Sequence, residues 1–176
     1  MSKAPVQAYV DTRKGFQQEQ QVSGSIELSR MPRLGEMLSS SEGAVALELR
    51  LARNTSGQRL IIGHVQASLS VTCQRCLEPL VIELQDDINL ALVEDEEAAA
   101  RLEPSLDPWI IEDHKLDLAS LAEEQLMLCM PIVSYHKHQC RPAEAYQVAP
   151  EQSQIETAGQ PGDNPFSVLK SLKESD

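Results

Sequence analysis

Between residues 43 and 93 apolar and polar side chains alternate almost without interruption, and this alternation predicts the centre of the fold. Val45, Leu47, Leu49 and Leu51 fall in one phase against Ala46, Glu48, Arg50 and Ala52, the pattern of a strand with one buried face. Asn54-Thr55-Ser56-Gly57 reads as a turn. A second strand places Ile61, Val65, Ala67, Leu69, Val71 and Cys73 on one face and His64, Gln66, Ser68, Ser70 and Thr72 on the other. After Cys73-Gln74-Arg75-Cys76 a third strand carries Leu80, Ile82, Leu84, Ile88, Leu90 and Leu92 in phase. Asp86 interrupts that apolar face and predicts a bulge or a bend. Three strands joined by short turns make an antiparallel meander.

Helical spacing surrounds the meander. Asp11 can cap a short helix through TRKGFQQ, which Gly15 weakens. VSGSIEL at 22–28 is extended in character. Met31, Leu34, Met37 and Leu38 recur at helical spacing, with Pro32 in the first turn. EDEEAAARLEPSLDP at 94–108 reads as an acidic surface excursion with room for one short helix, and Trp109-Ile110-Ile111 as a short strand or an anchor into the core. Asp117 caps a helix through LASLAEEQLMLC, with Leu118, Leu121, Leu128 and Cys129 near one face, and Pro131 stops it. The expected fold is α+β: an antiparallel β-meander packed on one face against two or three helices, near 31–40 and 117–130 among them. Residues 1–147 are expected to form this single domain, and 148–163 a disordered polar linker. In 164–176, Asn164 and Pro165 open a short amphipathic helix with Phe166, Leu169 and Leu172 in register, read as a docking segment.

Composition narrows the setting. Of 176 residues 41% are hydrophobic but only 3% aromatic, so the core must rest on Leu, Val, Ile and Ala. There is no run of about 18 apolar residues to span a bilayer, and no apolar stretch in MSKAPVQAYVDTRK to serve as a signal peptide. A cytoplasmic protein without a membrane partner is expected, with thiols kept reduced. The net charge of −12 argues against a general nucleic-acid binder. Residues 1–75 nevertheless carry +3 and residues 76–176 carry −15. The first part can meet phosphate, whereas the second repels RNA and suits a basic protein.

The residues with most chemistry are Cys73 and Cys76. A C-x-x-C turn presents two sulfurs to one metal ion, and zinc prefers thiolate and imidazole in a tetrahedral set. His136, His138 and Cys140 are the candidates for the other two ligands. The plainer alternative is a pair of partly buried thiols at a strand turn. A thiol oxidoreductase is a third reading, disfavoured because a reactive C-x-x-C normally sits at a helix N-terminus. Cys129 reads as a small core residue. Arg50, Arg53, Arg59 and Arg75 fall around the meander turns and are candidate contacts for RNA phosphate, or simply solvated turn residues. No meander strand carries Phe, Tyr or Trp, which argues against a base-stacking sheet. Neither His64 nor His114 has a catalytic companion in sequence, and there is no Gly-rich phosphate loop, HExxH or GxSxG. A non-enzymatic protein without a small-molecule substrate is expected.

Three blocks, VTCQRCLEPL at 71–80, LDLASLAEEQLMLCMPIVSYHKHQC at 116–140 and NPFSVLKSLK at 164–173, together resemble the YceD family of bacterial large ribosomal RNA subunit accumulation proteins. The resemblance covers nearly the whole chain. It implies a non-enzymatic cytoplasmic factor for synthesis, processing or stability of the large-subunit (23S) ribosomal RNA. Such a factor would act by binding a pre-ribosomal large-subunit particle through ribosomal protein, rRNA or both. It also implies a four-cysteine set in relatives; here His136 or His138 stands near the third position and Cys140 at the fourth. The rival readings are a zinc-stabilised adaptor and, further off, a C-x-x-C oxidoreductase.

Overall fold

A computed structural model describes residues 4–111 and 113–141. The expected linker and the docking segment with Asn164, Pro165, Phe166 and Leu169 lie outside the described residues.

The meander forms as its alternation requires. Strands β3 (Ala44–Arg53), β4 (Arg59–Thr72) and β5 (Pro79–Val93) pair in sequence, antiparallel. Strand β2 (Gln21–Glu27) adds to β3, and β6 (Asp107–Ile110) adds to β5 in parallel, giving the order β2-β3-β4-β5-β6. Of the bulge or bend expected at Asp86, the bulge is not there. Pairing of β4 with β5 runs unbroken from Leu60 opposite Ala91 to Thr72 opposite Pro79, with Asp86 opposite Val65. Asp86 keeps its phase and is only half-buried, near the half-buried Cys129. A carboxylate at the margin of the apolar face needs no backbone correction, because it keeps contact with water. Cys129 responds to this neighbour: burial, then hydrogen bonding to Asp86 and its charge, push its thiol up to about 11.

One face of the sheet carries the core. Val45, Leu47, Leu51, Ile61, Val65 and Leu69 are all buried, whereas Glu48, Gln66, Ser68, Glu83 and Asp87 stand on an open polar face. Gly63 leaves no room for a side chain: a Cβ there would lie 2.0 Å from the Glu48 carbonyl oxygen. Helix α4 (Leu118–Cys129) lies across β4 and β5 on the core face, with Leu118, Leu121, Ala122 and Leu126 buried. Leu128, expected on that face, is exposed instead, at the margin of the buried arc, although Met127 and Cys129 of the same turn still pack against the core.

The helix near 31–40 is only α2 (Pro32–Gly35). It is held to α4 by the buried Glu123, whose Oε1 accepts from the Leu34 backbone N–H at 3.0 Å, and by the Arg33–Glu124 ion pair. A backbone N–H with no partner inside so short a helix is thereby satisfied from another element. Helix α1 (Thr12–Gln17) packs on β3 and a one-turn α3 (Glu96–Ala100) packs on β5 and β6. Not expected was a second, two-stranded sheet of β1 (Tyr9–Asp11) and β7 (Lys115–Asp117). Each of these strands ends in an aspartate that caps the next helix: Asp11 accepts from the N–H groups of Arg13 and Lys14, Asp117 from those of Ala119 and Ser120.

Candidate metal centre

The six residues Cys73–Glu78 connect β4 to β5 at the far end of the long hairpin. The turn closes with the Cys73 N–H donating to the Glu78 carbonyl at 2.9 Å and the Leu77 N–H to the Cys73 carbonyl at 2.8 Å. Leu77 adopts a left-handed φ of 65° just after the second cysteine, where the chain turns back into β5. A distant segment comes to meet it. Pro131 follows α4, and the chain then runs past the turn from Ser134 to Cys140. The Gln74 N–H donates to the Ser134 carbonyl at 2.8 Å.

Arg75 is the clamp between the two. Its Nη2 donates to the carbonyls of His136, at 2.8 Å, and His138, its Nε donates to Cys140 Sγ at 3.1 Å, and its guanidinium lies 5.5 Å from the Tyr135 ring centroid. The result is a group of four side chains, Cys73, Cys76, His136 and Cys140, whose ligand atoms all lie within 4.8 Å of one another. Cys73 Sγ is 3.8 Å from Cys140 Sγ, and Cys76 Sγ is 3.4 Å from His136 Nδ1. Cys73 is buried and the other three are half-buried.

The electrostatics of the group favour ionised sulfur at Cys73 and Cys140. Burial opposes ionisation of Cys73, but the backbone N–H groups of Cys76, Arg75 and His136 outweigh it and bring the thiol down to about 5. Cys140 is lowered as well: burial again opposes, while the Arg75 side chain leads the groups that favour the thiolate. The Glu78 N–H favours a thiolate at Cys76, but burial and the neighbouring Cys140 and Cys73 leave that thiol raised. His136 is raised by its hydrogen bonds to Cys140 and Cys73. Three soft sulfurs and one imidazole, with negative charge gathered among them, form a donor set that can hold a metal ion.

Of the five candidate ligands, four converge. His138 stands outside the group, its ring centroid 5.0 Å from that of His136. The four arginines do not form one patch. Arg53 and Arg59 face each other across the first turn, Arg59 pairing with Glu94 at 3.1 Å. Arg50 lies on the open face of β3. Arg75 is at the opposite end of β4, a 14-residue strand about 45 Å long, and its guanidinium is occupied at the cysteine group. The clamping role of Arg75 had no local signal, because its partners lie more than 60 residues away.

Comparison with known proteins bears on the same part of the chain. The family described as "Large ribosomal RNA subunit accumulation protein YceD" matches residues 61–173. A Haemophilus influenzae protein with that name is 28% identical over 183 residues, a span covering 99% of this chain and 99% of the relative. No solved structure matches.

Proposed function

Since the chain belongs to the YceD family, we propose that it supports accumulation of large-subunit (23S) ribosomal RNA in the cytoplasm, as a non-enzymatic binding factor held in shape by one zinc ion. The RNA role rests on the family's description. The metal role rests on one observation, the convergence of four donors within 4.8 Å of one another, with two of the separations at tetrahedral values. In a tetrahedral zinc site with Zn–S near 2.3 Å and Zn–N near 2.0 Å, neighbouring sulfurs lie about 3.8 Å apart and sulfur lies about 3.5 Å from nitrogen. The separations here are 3.8 Å for Cys73–Cys140 and 3.4 Å for Cys76–His136. Zinc bound there would neutralise the clustered thiolates and join the β4–β5 turn to the segment after α4. Its role would be structural, since four protein ligands leave no open position for chemistry.

The C-x-x-C pair joins two strands rather than opening a helix, which weighs against a thiol oxidoreductase. Depletion of the protein in its host, with both large rRNAs quantified across a gradient of ribosomal particles, tests the RNA role. Selective loss of the large-subunit rRNA is expected. Equal levels of both rRNAs, with and without the protein, would contradict the proposal.

A further inference from the structure

Beside the cysteine group an apolar groove of about 420 Å³ opens between the β4–β5 turn and the segment that follows α4. Its walls include Met37, Val71, Leu77, Met127, Met130 and Ile132, and among the described residues no charged side chain lines it. Two wall residues, Gln74 and Ser134, are joined by the backbone hydrogen bond that ties the turn to the segment. The groove thus owes its shape to the same joint that the metal site closes.

Large apolar wall residues stand open to solvent, Ile132 95% exposed and Leu77 73%, and Leu128, next in the chain to the wall residue Met127, is 77% exposed. Leu128 lies seven residues after the buried Leu121, within about 20° of the same helix face, yet stands uncovered at the margin of that face while Cys129 and Met130 pack against the core. Isolated apolar residues on a surface are ordinary, but several of them around one groove mark an interaction surface. The two methionines in the wall can repack around differing side chains.

We infer that this groove takes an apolar-anchored segment of a basic protein of the large ribosomal subunit, and that the metal site holds the groove open for it. This rests on the accumulation role proposed above. Charge decides the class of occupant. Among the described residues no cation lines the groove to meet RNA phosphate; Glu36 and Glu78 stand next in the chain to the wall residues Met37 and Leu77, and Arg75, next to Gln74, is taken up at the cysteine group, in a chain of net charge −12. That field repels RNA and draws in a basic polypeptide.

The test mixes full-length, metal-loaded protein with total large-subunit proteins freed of RNA and, separately, with naked large-subunit rRNA. Saturable binding of a basic subunit protein is expected. It should weaken at least about tenfold with Ile132→Asp and with metal removal. It should be unchanged with Val81→Asp, an exposed apolar position on the open sheet face. Binding indifferent to Ile132→Asp, retention of rRNA alone, or crosslinks from the groove only to a second copy or to residues 164–173 would overturn the proposal. In cells, full rRNA accumulation with Ile132→Asp would overturn the groove and leave the accumulation role standing. Normal accumulation after deletion of the protein would overturn that role.

Discussion

The two turns of the meander do the same geometric job by opposite means. The first, between β3 and β4, is satisfied within itself. Asn54 Oδ1 accepts from the N–H groups of Ser56 and Gln58, Asn54 Nδ2 donates to Gln58 Oε1, and Gly57 supplies the left-handed φ of 81° at no steric cost. The second, Cys73–Glu78, places its left-handed φ on Leu77 and takes its remaining partners from residues 134–140. A self-contained turn only reverses the chain. A turn completed from 60 residues away fixes where another part of the chain must be, and that is where a metal site and a groove can be built.

If this contrast is right, the turns should fail differently. The largest effect is expected from stripping the metal or from Cys73→Ser. Either should lower Tm by about 10 °C or more, since metal-binding energy is folding energy here, and chelator should leave the Cys73→Ser protein unmoved. Thermal unfolding with and without chelator measures both.

His136 and His138 sharpen the comparison within the site. His136→Ala should weaken metal binding at least about 100-fold, whereas His138→Ala should change it no more than about threefold. Competition against a chromogenic chelator separates the two, and equal losses would mean that the wrong imidazole has been assigned.

Asn54→Ala is the matching change in the self-contained turn. Losing its side-chain bonds should cost about 1–2 kcal/mol and a few degrees of Tm, with metal content unchanged. The smallest effect, of opposite sign, is expected from Leu77→Gly. Relief of the left-handed backbone should stabilise by up to about 1 kcal/mol, offset in part by the greater freedom of glycine when unfolded. The same change removes an apolar wall of the groove, so stability and docking should move in opposite directions.

The difference between the turns also explains what was legible in the sequence. Alternation from Val45 to Leu92 is a local signal, and so are the caps Asp11 and Asp117; all of these appear in the structure. Asp86 and Leu128 misled because periodicity reports the face a residue occupies and not how far the covering layer extends. Pairing of β1 with β7 was invisible, since two three-residue strands about 100 residues apart leave no period to detect. At the site, Cys73, Cys76 and Cys140 could be named from residue type and spacing. Choosing His136 over His138, and finding Arg75 as the clamp, needed the register of the 134–140 segment against the turn.

Metal content is the most direct measurement of the central claim, that the second turn is completed by an ion. Native mass spectrometry of the full-length protein should find one zinc per chain. The zinc should be lost in Cys73→Ser, Cys76→Ser and Cys140→Ser and kept in Cys129→Ser, whose thiol lies outside the group. A metal-free protein from zinc-replete cells, or zinc retained by Cys140→Ser, would contradict it.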